Sequence, residues 1–172
     1  TIGALSEGSA EVIQETMTGV QRLTIDPDYT PAELKMNLIE AAFKGAIGGG
    51  HLSVLCASLG TNYQPDFENK ILFIEDIDEY FYKIDRMLWQ LKFAGVFNQI
   101  KGLIIGHFTN TKDNSTPFGM GLEEIVLQKI NEFNFPVVFN FPSGHESENL
   151  TLPLGLEMNL KVNASSCVLT VN

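Results

Sequence analysis

Basic residues are scarce. Eleven lysines and arginines stand against 21 aspartates and glutamates, for a net charge of −10, and no stretch gathers the basic ones together. So acidic a chain offers no electrostatic footprint for nucleic acid or for an anionic membrane surface, and neither is expected as a partner. Long apolar runs are missing as well: the longest, near Leu52 to Leu59, falls well short of the roughly 20 residues that span a bilayer. No signal-peptide pattern opens the chain. No methionine opens it either, so Thr1 is expected to be the cut edge of a longer protein. Cysteine is limited to Cys56 and Cys167, far apart in apolar surroundings, and buried free thiols are the expected state.

Several catalytic signatures are absent too. No G-x-S-x-G elbow presents a serine on a strained turn. No H-x-x-x-H or H-E-x-x-H spacing offers a zinc site. The glycine run Gly48-Gly49-Gly50 has neither the lysine of a phosphate-binding loop nor the spacing of a dinucleotide fingerprint, so a tight turn is expected there. No cofactor or metal is therefore assigned.

What the chain does contain is organised around Lys70 to Leu91, KILFIEDIDEYFYKIDRMLWQL. The run Ile71-Leu72-Phe73-Ile74 has the length and β-branched character of a buried strand. It breaks into the acidic stretch Glu75-Asp76-Ile77-Asp78-Glu79, read as a turn. Ile84, Met87, Leu88 and Leu91 then recur at helical spacing, for a helix over about 84–97. Upstream, residues 36–47 suit a strand, and a helix starts at the glycines and stops at Gly60. Downstream come a strand at 102–106 ended by His107, a helix at 122–133, a strand at 136–141 and the loop PSGHESEN around His145. Three short strand-like pieces complete the chain, at 150–156, 158–162 and 167–171. Residues 1 to about 35 read as a connecting arm, with a short helix capped by Ser9 and an extended RLTIDPDYTP. The middle is βαβαβ with helices of crossover length, hence parallel strands, in a mixed α/β sheet with an antiparallel component at its C-terminal end.

In open α/β sheets ligands bind outside the carboxyl ends of the strands. Glu75, His107 and His145 fall at or just past the ends of the three expected parallel strands. A carboxylate beside a histidine is the orienting half of a nucleophilic triad, because it fixes the imidazole tautomer and stabilises the imidazolium. Each residue also has a plain reading: Glu75 as a solvated charge, His107 as a packed histidine, His145 as a loop residue. Ser53, Ser143 and Ser147 are nucleophile candidates by type alone. The same residues, with His51 or Asp76, would be the donors of a metal hydrolase.

The order of motifs resembles the C-terminal domain of the LD-carboxypeptidases, the muramoyltetrapeptide carboxypeptidases and microcin-immunity serine peptidases. Gly49-Gly50-His51-Leu52-Ser53 is similar to the family's GGNLS, with histidine in place of asparagine. Gly60-Thr61 with Pro65-Asp66, then ILFIED, Glu79, Tyr82, Ile84-Asp85-Arg86-Met87-Leu88 and Gln90-Leu91 match its pattern. So do Gly102 to Phe108, Gly144-His145 and Leu152-Pro153-Leu154-Gly155. The resemblance covers about 45–156.

It implies a swivelling β/β/α-like domain at 36–172, with residues 1–35 as the tail of a missing N-terminal domain and the interdomain linker. It implies catalytic roles for Glu75 and His145, none for His107, and a nucleophilic serine on the absent domain. The implied activity is hydrolysis of the amide bond to a terminal D-amino acid, releasing D-alanine from a murein tetrapeptide in the cytoplasm, by a protein that is commonly a homodimer. The present chain alone is then expected to be inactive. The competing expectation, from a different class, is a noncatalytic module that binds a peptide or glycan in the same crevice.

Overall fold

The computed structural model describes residues 22–24, 41–162 and 167–171. Its strands are β1 (Arg22–Thr24), β2 (Ala41–His51), β3 (Ile71–Ile77), β4 (Gly102–Thr109), β5 (Val137–Val138), β6 (Glu157–Val162) and β7 (Cys167–Val171). Its helices are α1 (Leu52–Ser58), α2 (Phe81–Phe93), α3 (Val96–Gln99) and α4 (Leu122–Ile130). Among the described residues the strands form one sheet in the order β1-β7-β6-β2-β3-β4-β5. β2, β3, β4 and β5 are parallel, joined by helical crossovers, while β6 adds antiparallel to β2, β7 antiparallel to β6 and β1 antiparallel to β7. The mixed α/β fold with a βαβαβ middle is the one expected.

Period-two alternation along β3 and β4 sorts the apolar residues onto two faces. Leu72, Ile74, Leu103 and Ile105 pack with Leu52, Ile84, Leu88, Leu91, Ile125 and Val126 of the helices. Ile71, Phe73 and Ile104 form a second cluster with Ile47, Phe141, Met158, Leu160 and Leu169. A Cβ on Gly102 would lie 3.2 Å from Leu160 Cδ2, so the sheet curls until β6 reaches across to β4. Fully burying each such side chain is worth about 1.5–3 kcal/mol, against about 0–1 kcal/mol for an exposed ion pair such as Lys70–Asp66. The two clusters hold the fold. Cys56 and Cys167 lie free inside them, and burial pushes their thiols up to about 11 and about 12.

Several element boundaries differ from expectation. Gly48-Gly49-Gly50 is strand, not turn: β2 runs through it and pairs with β3 as far as His51 opposite Glu75. A Cβ on Gly49, at φ +118°, would sit 2.0 Å from Phe73 O, so glycine here admits a close strand neighbour. β3 likewise continues through Glu75 and Asp76, because parallel partners on both sides satisfy its backbone. The helix expected at 84–97 starts earlier and breaks at Gly95, whose left-handed φ of 74° separates α2 from α3. β4 passes His107 and ends at Thr109, and α4 stops at Ile130. Of 136–141 only Val137 and Val138 pair as strand, and 150–156 holds none. The helix capped by Ser9 lies outside the described residues, as does most of the arm, while Arg22–Thr24 pairs with β7.

One ion pair stands apart from the surface ones. Lys129 of α4 is 1% exposed and its Nζ is paired with Asp85 Oδ1 on α2, above the Trp89 ring. Replacing Asp85 with alanine strands a buried charge and is expected to cost about 3–5 kcal/mol, read from urea denaturation; a cost below about 1 kcal/mol would contradict this. Gly49→Ala is expected to cost about 3 kcal/mol through the carbonyl clash and the left-handed strain, whereas Gly48→Ala, with open space at its Cβ, should stay within about 1 kcal/mol.

Candidate active site

The site lies where β2 and β3 end, and it is built by register. His51 is the last residue of β2 and pairs directly with Glu75 on β3, so both side chains leave the sheet on one face. Asp76, the next residue, leaves on the helix side. Between Ile74 and Asp76 the β3–β4 ladder slips, with Gly106 and His107 together facing Glu75. Such a bulge bends the strand and re-aims the residues beyond it.

The loop after β5 closes onto that bulge. Phe141 N–H donates to Ile105 O at 2.9 Å, and His107 N–H donates to Ser143 O at 2.9 Å. Asn149 Oδ1 then accepts from Gly144 N–H at 3.2 Å and from Ser143 Oγ at 3.3 Å, while Thr109 Oγ1 donates to His145 O at 3.1 Å. Gly144, at φ +137°, lies against His107 and Glu75: a Cβ there would be 3.1 Å from His107 O and 3.4 Å from Glu75 Cβ. The result is a 2.7 Å contact between His145 Nδ1 and Glu75 Oε2. The Glu75 side chain is 8% exposed and that of His145 46%, so the carboxylate is sheltered and the far edge of the imidazole faces outward.

A second group touches this pair. The His51 ring meets that of His145 edge-on, with centroids 5.5 Å apart. Ser53 Oγ is 3.0 Å from His51 Nδ1, and Asp76 Oδ1 is 3.4 Å from His51 Nε2. Asp76 is sealed from solvent and accepts the backbone N–H groups of Ser53 (3.0 Å) and Ile77 (2.8 Å). Burial pushes its carboxyl above the ordinary range, while those two amides and His51 pull the other way. The contacts Ser53–His51–Asp76 reverse the nitrogens of a triad, and 3.4 Å is long for the carboxylate bond, so no proton relay is assigned to them.

Of the residues singled out from sequence, Glu75 and His145 are brought together. His107 is not: it sits inside β4, and its Nδ1 is buried without a hydrogen-bond partner among the described residues. The hydrogen bonds of Ser53 and Ser143 go to His51 and Asn149, and among the described residues no serine bonds to the His145 ring. The sequence reading missed how Asp76 ties α1 to β3. The alternation of faces along Ile71–Ile77 was the available signal, since it sends Glu75 and Asp76 opposite ways.

Gly144→Ala is expected to lower stability by about 1–3 kcal/mol and to break the pair. The ¹⁵N shifts of the His145 ring should then move to where Glu75→Gln puts them. Shifts unchanged from the unsubstituted protein would show that Gly144 does not hold the loop in place.

The model of the LD-carboxypeptidase C-terminal domain matches residues 44–160. A Bacillus subtilis protein with the name "Probable murein peptide carboxypeptidase" is 33% identical over 132 residues, 77% of this chain and 41% of its own. The murein tetrapeptide carboxypeptidase of Pseudomonas aeruginosa is 27% identical over 151 residues, 86% of this chain and 48% of its own. The crystal structure of muramoyltetrapeptide carboxypeptidase from Oxalobacter formigenes superposes with a TM-score of 0.75 at 28% identity, covering 89% of this chain and 50% of that one. The chain thus spans less than half the length of these curated relatives. With order, register and motifs in agreement, this chain belongs to the LD-carboxypeptidase C-terminal domain family.

Proposed function

We propose that this chain is the Glu/His-bearing half of a serine carboxypeptidase that cleaves the amide bond to a terminal D-amino acid, with a murein tetrapeptide as substrate and D-alanine as product. The observation that carries the reading is the 2.7 Å bond from His145 Nδ1 to the sheltered Glu75 carboxylate. Held by Nδ1, the imidazole turns Nε2 outward, where it takes the proton of a serine hydroxyl supplied by a preceding domain. The serine oxygen bonds to the carbonyl carbon, the C–N bond breaks, and the proton passes from Nε2 to the leaving amine. Water then repeats the sequence to free the enzyme. Glu75 stays ionised throughout and stabilises the imidazolium. Residues 36–172 act as the catalytic half-domain, with residues 1–35 leading in from the serine-bearing domain, in a cytoplasmic homodimer.

The relatives' names support the substrate class, and the family match supports the domain assignment. The test is D-alanine release from a muramoyl tetrapeptide, comparing this 172-residue chain with a protein carrying the upstream half. Activity is expected only in the longer protein. Glu75→Gln should lower its turnover on the order of 10⁴-fold and His145→Ala on the order of 10⁶-fold. Turnover that survives both substitutions would overturn the triad. No release from the longer protein would favour a binding module in the same crevice.

A further inference from the structure

His51, Glu75 and His145 come from the end of one strand, the closing residues of the next and a loop pinned to β4. One potential ligand atom from each lies within 4.8 Å of the others. We propose that these three side chains bind a borderline transition-metal dication, with Zn²⁺ as the type case. Donors about 2.0–2.2 Å from a tetrahedral ion stand about 3.4 Å apart, so the Glu75–His145 contact, now 2.7 Å, opens slightly while the widest pair draws in. Two imidazoles and a carboxylate suit zinc, copper or nickel, whereas magnesium and calcium want a shell of oxygens.

The surroundings fit a cation. Among the described residues no lysine or arginine pairs with Glu75 or Asp76, so no fixed cation competes for the site. Ser53 Oγ and Asp76 Oδ1 flank the His51 ring nitrogens, so whichever nitrogen meets the ion, a neighbour orients the ring from its other side. The half-exposed His145 leaves the solvent side of the site open for a water or a substrate atom. No spacing in the sequence marks such a site, because each donor arrives from a different element.

The ion would occupy the Glu75 and His145 atoms on which proton transfer depends, so zinc is expected to act as a reversible inhibitor. That consequence rests on the proposed hydrolysis; the ion site does not. Titrating the 172-residue chain with Zn²⁺ in a calorimeter should show one ion per chain, and Co²⁺ should give the visible absorption of a tetrahedral site. Anomalous diffraction at the zinc edge should place the ion among the three side chains. His51→Asn, with its metal-free melting curve as the folding control, should weaken binding by at least about tenfold. An ion located elsewhere, no saturable binding, or equal affinity in a folded His51→Asn variant would overturn the site. In the longer protein, Zn²⁺ should stop D-alanine release and a chelator restore it; turnover unchanged by bound zinc would overturn the inhibition alone. Zinc bound by a longer protein that releases no D-alanine even without it would sink the hydrolase reading and keep the ion site.

Discussion

The site depends on two backbone hydrogen bonds more than on any side chain. Phe141 N–H to Ile105 O and His107 N–H to Ser143 O fasten the loop after β5 to the bulged end of β4. Without them His145 would ride on an exposed loop, where holding one rotamer against a carboxylate costs side-chain entropy at every encounter. With them, Gly144 is seated against Glu75 and the imidazole has little distance left to cover. The bulge is therefore part of the site, and His107 belongs to it through its main chain.

That division explains what could be read from the amino-acid sequence. The apolar runs at 71–74 and 102–105 and the helical spacing of Ile84, Met87, Leu88 and Leu91 announced the βαβαβ frame, because burial on both faces leaves a strong composition signal. Glu75 and His145 came from the rule that strand ends carry function, together with the motif order. The boundaries did not. A triple glycine reads as a turn unless one knows that Phe73 O lies where the Gly49 side chain would be, and that is a fact about the neighbouring strand. Glu75-Asp76 reads as a turn because two carboxylates rarely continue a buried strand. Here one accepts a bond from His145 and the other from two amides, and each is satisfied on its own face.

His51 illustrates the same limit. In the sequence it is one unusual letter in a glycine-rich stretch. Pairing with Glu75 by register turns it into a neighbour of both catalytic candidates, and its contacts with Ser53 and Asp76 connect the crevice to the first turn of α1. A β-register is a long-range property, so it cannot be recovered from local spacing.

The two members of the pair differ in their exposure. A sheltered glutamate is held in place by the fold, whereas an imidazole 46% open to solvent is held at one nitrogen only. Inside a protein, charge stabilisation is strong because water is excluded, and the open side of His145 lacks that exclusion. The orientation of the His145 imidazole is thus internal to this domain, but low-dielectric surroundings for it are not. In the proposed hydrolysis, a domain closing over the crevice would contribute two things at once: the hydroxyl for His145 to deprotonate, and the wall that makes a Glu75–imidazolium pair worth more than it is in water.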